Sequence, residues 1–418
     1  MTGETEDLEQ FRQRARTFVT ENLRPSSDAA YYGIRHANTD EDELEAVAHD
    51  RAMQRMLFDA GLAGVTVPTE YGGRGLTPAH QRVLNEELQG YEYPARFQVP
   101  TMTPCLAVIL DFGTEEQKHE HVPAILKGDE IWLQFLSEPG AGSDVAGAVT
   151  TAMRDGDEWV LNGSKVWTTG AWWSDWGLCL TRTNWDVPKH RGLTVFMLPI
   201  DREGIDVQRI EMLNGNREFC QEFLTDVRVP DTDRIGGVDD GWTVGTRWMF
   251  HERMSHNSPL VTQPTGVART AIAGAHMHRV AQASGRERDP AAQNLIGEAE
   301  MIEVVGGALQ RRVGQGIATG TMSDQSSAIA RLFFGLGTAR KNSIAFDLAG
   351  NAGVAWTDDD GELAGRGEDY LMRQVSCIGG GTTEMAANVV AERVLGMPRE
   401  RSGDKDVPFR DVPRGPTN

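Results

Sequence analysis

The hydrophobic period of this chain changes twice, and those changes narrow the possible folds more than any overall figure does. Residues 1 to about 130 follow a helical period. Leu44, Val47, Ala48, Arg51, Met53 and Leu57 fall near helical spacing, as does Arg82 to Leu88. The segment Gly61 to Gly73, punctuated by Pro and Gly, reads as a loop between helices. Near Ile131 the texture becomes that of strands. Trp159-Val160-Leu161 and Lys165-Val166-Trp167 flank Asn162-Gly163, a pair that readily takes the positive φ of a tight hairpin turn. LCLTRT, LTVFMLPI, IDVQRI and VRVP follow as short apolar runs. From Gly241 the helical period returns, with Gly245, Met249, Glu252 and His256 on one stripe and helical stretches over 261–284, 291–319 and 324–349. A last helix is expected with Thr383 as N-cap and Glu384 in its first turn, ending at Gly396 before Pro398.

The order is therefore helices, strands, helices: an α+β multidomain chain. The expected units are an N-terminal α-helical domain (1–130), a middle antiparallel β-barrel (131–238), a C-terminal four-helix bundle (239–398) and a disordered tail (399–418) that has few apolar residues. A length of 418 residues accommodates about three such units. No run approaches the roughly 18 apolar residues of a membrane span, and the acidic, then amphipathic N-terminus is unlike a signal peptide. Four scattered cysteines read as reduced thiols of a cytoplasmic protein, and neither they nor the histidines have the spacing of metal ligands. A net charge of −20 argues against nucleic acid, whose binding is built on phosphate neutralisation.

Four segments carry chemistry. Leu136-Ser137-Glu138-Pro139-Gly140-Ala141-Gly142-Ser143-Asp144 is followed by Asn162-Gly163-Ser164-Lys165-Val166-Trp167-Thr168-Thr169-Gly170, and near the end stands Ile378-Gly379-Gly380-Gly381-Thr382-Thr383-Glu384, then Ala391 to Pro398. In this order the motifs resemble the acyl-CoA dehydrogenase family over roughly residues 40 to 400, and most of all its bacterial branch with a Gly-Gly-Thr loop, which includes enzymes of steroid side chains and two-subunit hetero-oligomers. The resemblance implies FAD, held by Gln134, Leu136, Ser137, Ser143, Trp167, Thr168 and Thr169, with Arg286, Gly350, Thr382 and Glu384 completing the site across subunits. It implies substrate contacts from Ser143, Arg253 and Gly381, an acyl-CoA substrate, an electron-transfer flavoprotein as acceptor, and a homo- or hetero-tetramer.

The residue types suit that reading. Glycines at 140 and 142 let backbone approach a large ligand, Ser137 and Thr169 offer hydroxyls, and Trp167 offers a ring to cover a flat one. Taken alone, the glycines read as a turn and Trp167 as a core residue. Both motifs together favour the flavin reading. Arg286 is less well supported, because Asp289 stands where the family has an aromatic, and an exposed arginine is the rival reading.

Dehydrogenation needs a base for the α-proton and donors for the thioester oxygen. Many members of the family carry the base as a Glu where this chain has Gly380. A glycine keeps the backbone N–H donor but supplies no carboxylate. Some branches place the base on the first helix after the strands, where this chain has Glu252-Arg253, and Glu252 shares its stripe with Gly245 and Met249. A structural Glu252–Arg253 pair is the alternative, weakened because adjacent helical residues do not face each other. Two rival functions remain: a flavin monooxygenase or oxidase on the same fold, and a subunit that completes the FAD site of another chain.

Overall fold

The computed structural model describes residues 6–25, 39–255, 258–264, 268–355, 361–363 and 365–413, and every structural statement below concerns these. Five α-helices build the N-terminal region: α1 (Leu8–Asn22), α2 (Asp40–Asp59), α3 (Pro78–Glu87), α4 (Ala107–Phe112) and α5 (Glu115–Lys127). Side chains close their ends. Thr39 and Asp42 form a capping box on α2, Thr114 and Gln117 one on α5, and Gly128, at φ 81°, ends α5 in the left-handed conformation. Val47, Met53 and Leu57 are buried as the periodicity predicts, while Leu44 is exposed.

Eight strands follow: β1 (Trp132–Phe135), β2 (Thr151–Asp155), β3 (Glu158–Thr169), β4 (Trp176–Arg182), β5 (Leu193–Pro199), β6 (Ile205–Arg209), β7 (Phe219–Pro230) and β8 (Arg234–Ile235). They form one sheet in the order β6-β7-β3-β2-β4-β5-β8, with β1 added beside β4. The expected closed antiparallel barrel is corrected on two counts. The path is open, with β6 and β8 at its ends, and β1 and β2 run parallel to β4. The expected turn at Asn162-Gly163 is also corrected. The β2–β3 hairpin turns at Gly156-Asp157, and β3 runs on through Asn162-Gly163 as a bulge. Gly163 is glycine for another reason: a Cβ there would come within 2.5 Å of the Thr150 hydroxyl oxygen.

After the sheet come α6 (Gly241–Arg253), α7 (Ala268–Ala283), α8 (Pro290–Ala318), α9 (Ser327–Ala349) and the shorter α10 (Asn351–Ala355), α11 (Arg366–Met372) and α12 (Thr383–Val389). α6 does not pack as part of a bundle. It buries Val244 and Trp248 in a core shared with Val108 and Ile109 of α4 and Leu178 and Val195 of the sheet. The expected four-helix bundle reduces, among the described residues, to three long helices that share one apolar cluster: Val280 of α7, Ile296 of α8, Ile344 and Leu348 of α9. The N-cap of α12 is Thr382, whose hydroxyl accepts from the Met385 N–H, rather than Thr383. The tail expected to be disordered is held down as far as residue 413. Phe409 is buried, stacks on Trp185 and lies 4.1 Å from the Arg182 guanidinium, so one aromatic side chain anchors an otherwise polar segment.

Candidate active site

Strand β3 makes a platform because its pairing with β7 slips between Val166 and Thr168. The slip leaves Trp167 at φ 65° and 58% exposed. For a residue with a Cβ, that conformation costs roughly 1–2 kcal/mol, and such outliers concentrate at functional sites. The slip also turns Lys165 and Thr168 both inward, though they are three residues apart. Beneath the platform, Lys165 Nζ donates to Glu138 Oε1 at 2.8 Å and to the Leu180 carbonyl at 2.6 Å, and Glu138 accepts from the N–H groups of Val149 and Thr150. Burial pushes the Glu138 carboxyl up, but Lys165 and those N–H groups outweigh it and hold it below its ordinary value. Glu222, across the ladder from Lys165, accepts from the Thr168 hydroxyl at 2.8 Å. Here burial wins and pushes the carboxyl up to about 8.

The outer face of the platform carries Trp167 and Thr169. Ser137 is its neighbour, since the Val166 N–H donates to the Ser137 carbonyl at 3.0 Å. Thr168, expected beside them, points its hydroxyl the other way, into the sheet. A Cβ at Gly140 or Gly142 would meet no atom within 4 Å. Packing within the protomer therefore does not require these glycines, and the space above their backbone is free. A planar ring between two hydroxyls, with bare backbone beside it, fits a flat aromatic cofactor.

The second half of the site lies at the end of α6. Glu252 projects from the helix towards Gln134 of β1, Arg331 of α9, Cys105 and its neighbour Arg253. Loss of hydration raises its carboxyl above the ordinary carboxylate range, and Arg253, Gln134 and Arg331 only partly counter this. Arg331 joins that carboxyl to the glycine loop. Its Nη1 donates to the Ser376 carbonyl at 2.9 Å and its Nη2 to the Gly379 carbonyl at 2.7 Å, and its Nε lies 4.0 Å from where a Cβ of Gly380 would be. Gly380 and Gly381 have φ of 71° and 95°, which glycine adopts freely. Gly245, one α6 stripe from Glu252, is buried, yet a Cβ there would also meet nothing within 4 Å. His256, the last member of that stripe, lies outside the described residues.

The other residues singled out from the sequence fall elsewhere. Ser143 and Gly381 are exposed on loops, and the Leu136 carbonyl faces Lys165 Nζ at 3.4 Å. Arg286 donates to Asp289, the N-cap of α8, and to the Asp347 carbonyl near Gly350. These residues gather at the far end of α9: Ala349 is about 27 Å along the helix axis from Arg331 at 1.5 Å per residue. Thr382 is occupied as a cap, with Glu384 in the first turn of α12. Sequence reasoning passed over Arg331, Trp248 and Glu222. Arg331 had a signal, as the lone charge in the apolar run Ala328 to Leu336 of a helix. Trp248 had another, four residues before Glu252.

Comparison with known proteins identifies the family and the fold. A family model described as acyl-CoA dehydrogenase, N-terminal domain, matches residues 5–129, and one described as acyl-CoA dehydrogenase, middle domain, matches 134–227. The acyl-CoA dehydrogenase IpdE1 of Mycobacterium tuberculosis is 32% identical over 403 residues, 95% of this chain and 100% of that protein. The solved structure of the Tcur3481-Tcur3483 steroid ACAD superposes with a TM-score of 0.75 at 27% identity, covering 94% of this chain and 98% of that one. The ChsE4-ChsE5 complex of Mycobacterium tuberculosis shares the fold, with a TM-score of 0.68 at 23% identity over 96% of this chain and 100% of that one.

Proposed function

The chain belongs to the acyl-CoA dehydrogenase family, and from that premise we propose that it uses FAD to introduce an α,β double bond into a bulky acyl-CoA, giving the trans-2-enoyl-CoA, with Glu252 as the base. The observation that carries this reading is the meeting of Glu252 and the Gly379–Gly380 loop around Arg331. Bound on the β3 platform, FAD would supply the acceptor for the hydride that leaves the β-carbon. Trp167 covers one face of the ring, and Ser137 and Thr169 address its polar edge. Glu252 takes the α-proton, and its desolvated carboxyl is a stronger base than an ordinary glutamate. The Gly380 N–H donates to the thioester oxygen, whose developing charge needs a fixed donor. Ser143, Arg253 and Gly381 contact the thioester's CoA portion.

Three observations support a bulky acyl group: open space at Gly245, the absence of side chains at Gly379 and Gly380, where a Cβ would meet one atom each at 3.8 and 4.0 Å, and the likeness to a steroid enzyme. Surface chemistry supports an assembly. Val304, Val305 and Met301 on α8 and Phe334 and Leu336 on α9 are exposed apolar residues, a face suited to a partner. We read the enzyme as a cytoplasmic homo- or hetero-tetramer in which Arg286, Gly350, Thr382 and Glu384 of one subunit serve its neighbour's FAD, with an electron-transfer flavoprotein as acceptor. The relatives solved as named pairs favour a mixed assembly. Units of 1–130, 131–238 and 239–398 are kept as the domain division, with no described helix long and apolar enough to cross a membrane.

The test is anaerobic mixing of the FAD-loaded protein with a panel of acyl-CoAs. Bleaching of the flavin band by ring-bearing or branched thioesters, faster than by butyryl-CoA, is the expected result. A clear preference for short straight chains reverses the substrate reading, and reduced enzyme that consumes oxygen as fast as it turns over points to an oxidase.

A further inference from the structure

Gln134 stands among the residues expected to touch FAD, but its side chain is engaged on the other side of the site. On β1, Leu133 and Phe135 point into one core, while Trp132 points into the core that also holds Trp248. Side chains alternate along a strand, so Gln134 shares the face of Trp132 and is directed at α6. There its Oε1 accepts from the Trp248 indole N–H at 2.5 Å. An indole nitrogen can only donate. The atom it faces must therefore be the amide oxygen, and the usual ambiguity between oxygen and nitrogen of a glutamine is removed. The –NH2 group is left free to face the Glu252 carboxyl, on which the Gln134 side chain acts.

We propose that Gln134 is a positioning residue for Glu252: locked by Trp248, its amide turns its N–H side to the carboxylate, aiming that group and favouring its proton-accepting form. This rests on the assignment of Glu252 as base. Trp248 and Glu252 are one turn apart on α6, so β1 and α6 close a ring of three side chains. The ring also explains why this position takes a glutamine. A leucine would leave the indole N–H without an acceptor, and a glutamate would set a second negative charge beside the base. Among the described residues, the other charged or titratable groups that act on Glu252 are Arg253 on its own helix, Arg331 of α9 and the Cys105 thiol. Both arginines stay cationic throughout the range in which a glutamate titrates, and the thiol stays neutral, pushed well up by burial and by Glu252. Glu252 is then the group whose titration Gln134 controls.

The experiment is the pH profile of kcat/KM for the FAD-loaded enzyme, measured for wild type, Gln134→Leu and Gln134→Glu with a thioester that bleaches the flavin. Loss of one charge-assisted donor should move the ascending limb up by about one pH unit in Gln134→Leu. The like charge should move it further in Gln134→Glu. At pH above the shifted limb, Gln134→Leu should recover to within a few-fold of wild type. A second readout does not need turnover: the carboxyl infrared band that vanishes in Glu252→Gln should titrate with the same displacement. If Gln134→Leu does not fold, Gln134→Met, closer in shape, takes its place. An unmoved limb and unmoved band overturn the proposal. A loss of rate equal at all pH, together with lost flavin, also overturns it and returns Gln134 to the cofactor. Wild-type turnover in Glu252→Gln is a different failure, since it removes the base assignment itself.

Discussion

The sheet and the C-terminal helices handle charge and apolar surface in opposite ways. In the sheet, Lys165, Glu138, Glu222 and Arg182 are fully or almost fully buried, each held by named partners, and most of its apolar side chains fill two cores, with Trp167 and Met153 left outside. In the helical region the charges pair on the surface, as Arg340 does with Glu298, while Val304 stands 69% exposed and Phe334 60%. The first region buries its charges within one protomer. The second leaves a cluster of apolar side chains uncovered on its helices. The proposed base sits at the junction, on a helix anchored in the sheet's core and facing a loop held by Arg331 of the helical region. The contrast teaches that the proposed base is anchored by the half that closes on itself, while the half with uncovered apolar surface supplies the loop.

The largest effect belongs to that junction. Glu252→Gln keeps the size of the side chain but removes its basicity, so turnover should fall by ~10²–10⁴-fold with flavin content and melting temperature unchanged. Undiminished turnover would place the base elsewhere. Adding Gly380→Glu to that variant should not restore activity, because a glutamate at φ 71° is strained and its first carbon would lie 4.0 Å from Arg331 Nε, inviting an ion pair.

Next come two ion pairs of similar length. Lys165→Met strands the buried Glu138 carboxylate and should destabilise the protein by about 3–5 kcal/mol in denaturant titration. Arg340→Met breaks a contact that is shorter, 2.6 Å against 2.8 Å, yet should change stability by at most about 1 kcal/mol, since water and salt screen it. Equal effects would erase the contrast between the regions.

A further effect is tied to pH. The Glu222 carboxyl titrates near 4.5 when unfolded and at about 8 when folded. Between those values the folded state holds the proton that the unfolded state has lost, so stability should fall as pH rises from about 4.5 to about 8 and level off above. Glu222→Gln should flatten that slope in a series of melts, and an unchanged slope would assign it to other groups. The smallest intrinsic effect is expected at the surface. Val304→Asp should leave the melting of a protomer within about 0.5 kcal/mol, yet lower the mass seen by light scattering towards 45.9 kDa. A native-sized assembly would show that α8 is not at the interface.

What the sequence disclosed follows the reach of its signals. Period separates helices from strands over ten residues, so the three regions and the stripe through Glu252 were legible. Closure of a sheet depends on whether its two end strands meet, and nothing in β6 or β8 states that. Asn162-Gly163 carried a turn signal, but the decisive neighbour was Thr150, brought against Gly163 by the fold. Ser137 and Trp167 were readable as candidates from residue type, whereas the inward turn of the Thr168 hydroxyl was not, because the bulge at Trp167 reverses the alternation. The role of Gln134 depends on Trp248, 114 residues away. Arg331 was visible as a charge out of place, but its partners were not.

The clasp of Phe409 over Arg182 has a consequence for the order in which the molecule can be completed. Arg182 is gathered into the sheet by the carbonyls of Ala146, Ala148 and Lys189, and its flat face is then covered by a ring that comes 227 residues later. Synthesis proceeds from the N-terminus, and a nascent sheet lacks that cover until residue 409 has emerged. The central region, though its strands are contiguous in sequence, is therefore finished only after the helices that follow it have been made.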